Sequence, residues 1–503
     1  MAKSKSKKGS ILRFIRWKNL KGEISGYGYD YSFKKYLLMA LIVLVGVVFV
    51  GWFYKLKTAL VVLLGVASLC FLPIIIYSQF RFMYKQKEFG DVDNYLHQMI
   101  YSFQRSRKII TALEDTHKVS SGRMQEVIGD ALETLSSSSS YYVFEEALEV
   151  IEEAYPCDRV ITLHRFLVSV EKNGGKYANS LGVLLADVNN WVKRVYKNQQ
   201  DLKQYKNEVA LSMLICFITG SASVLVGLIF SNSKTGISMN ISNDWLYQWN
   251  SVAFLLICVL YYSIVQLRNI GEWLGKPRTD EKIQKDFNWV FSGNPYKVML
   301  MSLPVVAVFV LLGVGIMLLM ESTLGYVIGA VFFVFALWIL FIPILDKKSS
   351  KSRLAEDVYA NFSDWLRDVA INIQREPLIP AIEDTYETAP LIIKHSLGKF
   401  IREISDNPSD VIPYHHFLEE YEITDISTTV MMLYSFSEMD EDNVDEAINS
   451  LIKRNSEMID KHEELKAASA KSLRNFSSII PTVFITVKIA LDMIVMLSVL
   501  TQF

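Results

Sequence analysis

Seven runs of about 20 residues, each with almost no charge, limit what this chain can fold into. They cover residues 36–53, 58–77, 209–230, 249–267, 298–320, 326–345 and 478–500. A helix of this length crosses about 30 Å of hydrocarbon. Apolar residues make up 51% of the chain and charged residues 21%, and the two classes are segregated along it. The sequence therefore predicts an all-α membrane protein with about seven transmembrane helices.

Lys and Arg residues beside the apolar runs predict the orientation of the chain. The first 36 residues hold ten Lys or Arg but only two acidic residues, and basic residues also follow the second, fourth and sixth runs. Such flanks stay on the cytosolic side, which places the N-terminus inside and, with seven spans, the C-terminus outside. The turn with Lys55 and Lys57 is an exception, so a shallow re-entrant first hairpin is the alternative. The basic arm is expected to lie near anionic lipid rather than nucleic acid.

Two polar segments of about 130 residues lie between the runs, at 79–207 and 346–475. Apolar residues recur in them at helical spacing, as in Leu96, Met99 and Ile100. Each segment is therefore predicted to be a cytosolic bundle of five or six helices. The remaining segments are predicted as follows: a basic arm (1–35), a transmembrane hairpin (36–78), a transmembrane pair (208–268), a cytosolic linker (269–297), a second hairpin (298–345) and a C-terminal transmembrane helix (476–503).

The two polar segments resemble each other. Ala112-Leu113-Glu114-Asp115-Thr116 recurs as Ala381-Ile382-Glu383-Asp384-Thr385, and Asn179-Ser180-Leu181 recurs as Asn449-Ser450-Leu451. Both matches fall at an offset of about 270, and both segments follow an apolar hairpin. A constant long offset in the same setting indicates a duplication.

Both segments share a helical pattern, at residues 105–116, 144–148 and 172–181 of the first segment and at 375–385 and 442–451 of the second. In these residues the segments resemble the F-domain superfamily of type II secretion and type IV pilus machines, whose members are inner-membrane platform proteins. The arrangement of hairpin, domain and span is most similar to two platform proteins of the Tad (Flp) branch joined in tandem. The last module has one span rather than two, so a platform family with two F domains and fewer spans is the alternative.

The resemblance implies a scaffold of the bacterial inner membrane that is not an enzyme and has no cofactor. The implied partners are a secretion or pilus ATPase, pilin or pseudopilin subunits, the lipid bilayer and further copies of the chain, and not nucleic acid. The sequence lacks a phosphate-binding P-loop. The nearest match, Gly174-Gly175-Lys176-Tyr177, has neither the Ser or Thr nor the upstream Gly. The energy for assembly would therefore come from the ATPase.

Acidic residues mark the candidate contacts with that ATPase. The second polar segment holds 26 Asp or Glu against 15 Lys or Arg. The candidates are Glu145, Glu146, Glu149, Glu438, Asp440, Glu441 and Asp442. Acids near the start of a helix also interact favourably with its dipole, so a solvated helix start is the alternative for these residues. A calcium site at these acids is a further alternative, which would need several oxygens that converge in space. The spacing of the cysteines does not suit zinc, and no metal site is predicted.

Lys488 and Asp492 lie four residues apart inside the last apolar run, on one face of a helix. Charges within a bilayer are costly and are expected to face protein. The pair is interpreted as a structural lock, with a mobile interhelical contact or a proton relay as alternatives. The relay would make the chain a membrane transporter, which is the alternative function. Trp245, Tyr247 and Trp249 are expected at the membrane interface, where such rings prefer to lie.

Overall fold

In this computed structural model, most of the described residues lie in α-helices. The structure describes residues 16–137, 142–174, 178–222, 224–226, 241–274, 279–320, 323–373, 376–437 and 444–500, and no strand occurs among them. The α-helices are α1 (Trp17–Gly26), α2 (Phe33–Phe53), α3 (Thr58–Ser106), α4 (Ile109–Val119), α5 (Arg123–Ser137), α6 (Val143–Ala154), α7 (Asp158–Asn173), α8 (Ala178–Gly220), α9 (Trp245–Arg268), α10 (Asp280–Ser292), α11 (Pro295–Met320), α12 (Thr323–Asn372), α13 (Leu378–Asp384), α14 (Leu391–Asp406), α15 (Ile412–His416), α16 (Thr424–Ser437), α17 (Val444–Ser478) and α18 (Ile480–Leu500). The all-helical prediction is confirmed for these residues.

Six stretches of the described residues are long and apolar enough to cross a bilayer, so the chain is a multi-pass membrane protein. They are Phe33–Phe53, Thr58–Ser106, Leu184–Val226, Trp245–Arg268, Pro295–Leu318 and Ala467–Leu497. The seventh predicted span, 326–345, lies within α12, whose first side chains are outside the described part of the chain. A count of seven spans therefore stays a prediction.

The helices α3 and α12 have 49 and 50 residues and share one design. Each has an apolar first half that contains a proline, Pro73 or Pro343, and these prolines are 270 residues apart. Each second half carries the buried core of a bundle. Buried side chains recur at the same offset, in the pairs Val92 and Phe362, Tyr95 and Trp365, and Met99 and Val369. The repeat seen in short segments of the sequence thus extends to the core positions of both long helices.

The chain divides into two compact units, and the first comprises Met1–Lys276 and Leu465–Phe503. It contains the first bundle, built from the second half of α3, from α4 to α7 and from the first half of α8. It also contains α18. In the predicted basic arm, α1 buries Leu20 and Ile24 against Leu72 and Ile76 of α3. This part of the arm is therefore packed on the fold.

The second unit comprises Pro277–Glu464. Its core gathers apolar side chains of α12 to α16, including Phe362, Trp365 and Phe400. The predicted linker 269–297 contains the helix α10, which buries Ile283 in that core. Asp286 of α10 also binds the Arg353 guanidinium at 2.9 and 3.0 Å, and this hydrogen bonding raises the pKa of Arg353. This docking was not predicted from the sequence, because α10 is polar overall.

Candidate functional site

The centre of the candidate site is the pair Lys488 and Asp492 on α18. Residues four apart in a helix lie on one face, so the ammonium of Lys488 reaches the carboxylate of Asp492 within the same helix. The two side chains are only 1% and 0% exposed. The structure therefore places both charges inside the first unit, away from its surface.

Two further helices supply polar partners to this pair. Lys488 also donates to the carbonyl oxygen of Gly220, at the C-terminal end of α8. A helix C-terminus carries partial negative charge, which favours a cation at this point. Asn250 of α9 donates from Nδ2 to Asp492 Oδ1 at 2.9 Å and to the backbone oxygen of Lys488 at 3.2 Å. The pair thus connects α18 to α8 and α9.

Two tyrosine rings enclose the ammonium. Lys488 Nζ lies 5.3 Å from the ring centroid of Tyr54 and 5.2 Å from that of Tyr247, within the range of cation–π attraction. The Tyr54 hydroxyl donates to the Phe217 carbonyl at 2.7 Å, and the Tyr247 hydroxyl donates to the Tyr54 carbonyl at 3.1 Å. Both tyrosines are fully buried. These bonds connect the end of α2 to α8 and α9, which also contact the pair.

Gly220 is required where α8 ends against this cluster. A Cβ atom at this position would lie 2.5 Å from the Tyr54 hydroxyl and 3.0 Å from Cδ1 of Ile485. The absence of a side chain lets the carbonyl of Gly220 approach Lys488. The arrangement is suited to holding α2, α8, α9 and α18 in one register. A buried pair that loses one partner leaves an uncompensated charge, and this cost opposes a shift of one helix against the others.

Contacts at equal spacing connect α8 with α17 and α18. Asp201 pairs with Lys471 at 3.2 Å, and the Tyr205 hydroxyl donates to Ser477 at 2.9 Å. Gly220 and Lys488 form a third such contact. In all three contacts the two partners are 268 to 272 residues apart in the chain. Because partner numbers rise together along both segments, α8 and the α17–α18 segment run parallel.

The acidic residues of α6 divide into two groups. Glu146, Glu149 and Glu153 are exposed. Glu145 instead accepts from Lys172 at 2.5 Å, and Glu152 accepts from His164 at 2.8 Å. The outward group is therefore the part of this candidate surface that a partner can reach. The other candidates, Glu438, Asp440, Glu441 and Asp442, lie outside the described residues.

A second buried polar network, which the sequence analysis missed, lies in the first bundle. The Tyr95 hydroxyl is 2.7 Å from His164 Nε2, and His164 Nδ1 is 2.8 Å from Glu152 Oε1. Tyr95 is 0% and His164 is 2% exposed. The equivalent of Tyr95 in the second bundle, Trp365, donates from Nε1 to Thr385 Oγ1 at 2.9 Å. In each bundle, an aromatic side chain at the same position of the long helix is buried, and its polar group has a hydrogen-bond partner.

The partners of Lys488 were also missed from the sequence, although one signal was present. Asn250 is a polar amide inside the predicted span 249–267. Tyr247 was expected at the membrane interface with Trp245 and Trp249. The two tryptophans are 65% and 54% exposed, whereas Tyr247 is 0% exposed and turned inward. Its hydroxyl reaches the Tyr54 carbonyl, and this distant partner leaves no pattern in the sequence.

Within the described part of the chain, no group of three or more His, Cys, Asp or Glu is placed to hold a metal ion. In comparisons with known proteins, no protein-family model, no curated protein and no solved structure matches this chain.

Proposed function

We propose that this chain is the inner-membrane platform protein of a type II secretion or type IV, Tad-like, pilus machine. In this role it couples a cytosolic ATPase to the extraction of pilin or pseudopilin subunits from the membrane and to their assembly into a filament. The chain itself does not catalyse the making or breaking of covalent bonds. Copies of the chain form the platform, with the N-terminus in the cytosol.

The continuity of α3 and α12 is the observation that carries this proposal. At 1.5 Å per residue, a helix of 49 residues is about 74 Å long, more than twice the thickness of the hydrocarbon layer. Its first half is apolar and its second half carries the core of a bundle. A displacement of the bundle is therefore passed to the hairpin through unbroken helix rather than through a loop. The repetition of this design supports a mechanical scaffold.

The exposed acids of α6 are the proposed contact with the ATPase. Glu146 and Glu149 are exposed on the first bundle, whereas Glu145 is half-buried and accepts a hydrogen bond from Lys172. Exposed charges contribute little to folding, and an exposed acidic surface attracts a basic partner. Charge reversal at Glu146 and Glu149 is therefore expected to affect docking more than stability.

Copurification from the native host tests the proposal. The tagged full chain should recover a secretion ATPase, and the double variant Glu146→Lys, Glu149→Lys should recover at least tenfold less. The matched control is Asp130→Lys, Glu133→Lys, which reverses two exposed acids on α5 of the same bundle. Deletion of the gene should abolish the filament or the secreted product. Recovery of no such ATPase by the wild type, with normal piliation after deletion, would remove the proposal.

The transporter alternative depends on Lys488 and Asp492. Their near-zero exposure and their bonds to Gly220 and Asn250 favour a packing role, since a relay needs a path for protons. The double variant Lys488→Leu, Asp492→Leu separates the two ideas. A transporter would lose flux in reconstituted vesicles, whereas a platform keeps its ATPase contact as long as the helices stay packed.

A further inference from the structure

An apolar cavity of about 340 Å³ lies among α2, α3, α8 and α9. Its wall includes Gly46 and Val50 of α2, Leu64 of α3, Phe217 of α8, and Phe254 and Cys258 of α9. The other lining residues contribute one hydroxyl group, that of Ser68. Phe49, which also lines it, is 55% exposed, so the cavity reaches the outer surface of the helices. This volume falls within the range of ligand sites.

The depth of the cavity defines the chemistry of its occupant. Its lining residues lie within apolar helices that are long enough to span a bilayer, from Cys258 in the middle of α9 to Val50 near the end of α2. At this depth an apolar cavity is surrounded by hydrocarbon, and a polar ligand would lose its hydrogen bonds to water without replacement. An unfilled cavity would leave its lining atoms without partners. A hydrocarbon chain satisfies both conditions.

The cavity is too small for a helix of a partner protein or of a second copy. A helix with its side chains is about 10 Å across, so 340 Å³ would hold about 4 Å of its length, less than one turn. An extended acyl chain is much narrower and can run along the cavity. The volume therefore favours a lipid over a protein segment.

The turn between α2 and α3 supplies positive charge near one end of this cavity. Lys55 and Lys57 are exposed there, and they depart from the rule that places basic residues on the cytosolic side. Gln248 fixes the turn, because its side chain donates to the Lys55 carbonyl and accepts from the Lys57 amide, both at 2.9 Å. Val50, at the cavity wall, is about 7 Å along the helix axis from this turn. A phosphate group at the turn could thus be joined to a chain in the cavity.

We propose that this cavity binds one acyl chain of an anionic phospholipid, whose headgroup lies at Lys55 and Lys57. The site borders the cluster around the buried pair, since Phe217 lines the cavity and its carbonyl accepts from Tyr54, and it shares no residue with the proposed ATPase contact. Its function is to fill the space among the four helices while anchoring the α2–α3 turn at the membrane surface. The two lysines then serve lipid recognition, which accounts for basic residues at this turn.

The test uses the full-length protein and measures retained lipid by native mass spectrometry after delipidation. The probe is a nanodisc with equal amounts of phosphatidylglycerol and phosphatidylcholine. The wild type should retain one lipid, predominantly phosphatidylglycerol. Gly46→Leu should reduce retention at least tenfold, because a Cβ at Gly46 meets no atom within 4 Å and the side chain can occupy the cavity. Gly315→Leu is the matched control, since Gly315 has the same open space in α11 outside the cavity.

The headgroup is tested by Lys55→Gln, Lys57→Gln, which should keep one lipid but lose the preference for phosphatidylglycerol. Equal retention by the wild type and Gly46→Leu would overturn the acyl-chain site, as would the absence of retained lipid from the wild type. Unchanged preference in the lysine variant would overturn the headgroup assignment. Should Gly46→Leu fail to fold, a phospholipid with a photoreactive acyl chain decides the matter in the wild type, since labelling must include Phe217 or Phe254.

Discussion

Asp201 of α8 and Lys471 of α17 are 270 residues apart in the chain and form an ion pair of 3.2 Å. The same interval separates Pro73 from Pro343 and Tyr95 from Trp365. Corresponding positions of α8 and the α17–α18 segment therefore meet in one parallel helix seam within the first unit. The Lys471 side chain is 54% exposed, so the pair adds little stability and serves mainly to mark the register.

Removing one charge of the buried membrane pair should destabilise the protein more than removing both. Lys488→Met leaves the carboxylate of Asp492 buried without its cation, which is expected to cost about 3–5 kcal/mol. The double variant Lys488→Met, Asp492→Leu removes both charges and should cost less. Unfolding of the full-length protein in nanodiscs measures the difference. Equal losses in the single and double variants would contradict the pairing.

Gly220→Ala should be destabilising despite the small size of the change. The added Cβ would lie 2.5 Å from the Tyr54 hydroxyl, which is held by the Phe217 carbonyl. Displacing this buried ring should cost about 1–3 kcal/mol, as other overpacked sites do. Gly315→Ala, which meets no atom within 4 Å, is the control and should unfold like the wild type. A similar unfolding free energy for both variants would show that the ring can move freely.

Tyr95→Phe should weaken the first bundle by removing a donor from a buried histidine. His164 Nε2 would lose its hydrogen bond with the Tyr95 hydroxyl, and such a loss costs about 1–3 kcal/mol. Tyr101→Phe makes the same chemical change at a ring that is 52% exposed on the same helix. Thermal unfolding followed by intrinsic fluorescence should separate the two variants. If Tyr101→Phe cost as much as Tyr95→Phe, the network would not be responsible.

Acid should remove the contribution of Asp115 to stability. A hydrogen bond from Ser102, together with the charges of Arg105 and Lys118, lowers the pKa of this carboxyl. A lowered pKa stabilises the fold above the unfolded value of about 3.9, and this contribution disappears as the pH falls through the folded value. Asp115→Asn should therefore unfold more easily than the wild type at neutral pH and equally at the lowest pH. Ser102→Ala should shrink this difference, and a pH-independent difference would refute the assignment.

Several features of this protein follow directly from the one-dimensional pattern. Apolar runs of about 20 residues predicted membrane-spanning helices, because backbone groups in hydrocarbon must be satisfied within the segment. Helical spacing at Leu96, Met99 and Ile100 predicted a buried face, and all three side chains are 0% exposed. The offset of about 270 between Ala112 and Ala381 revealed the internal repeat. The separation of four residues put Lys488 and Asp492 on one face.

The partners of these residues were decided only by tertiary structure. Gly220, Asn250 and Tyr54 reach Lys488 or Asp492 from helices that are more than 200 residues away in the chain. No periodicity links such positions, since their proximity depends on how α2, α8, α9 and α18 pack. The same reason explains why Tyr247 turns inward while Trp245 and Trp249 face outward. Local spacing determined each helix and its apolar face, whereas packing between distant helices determined which polar groups that face would meet.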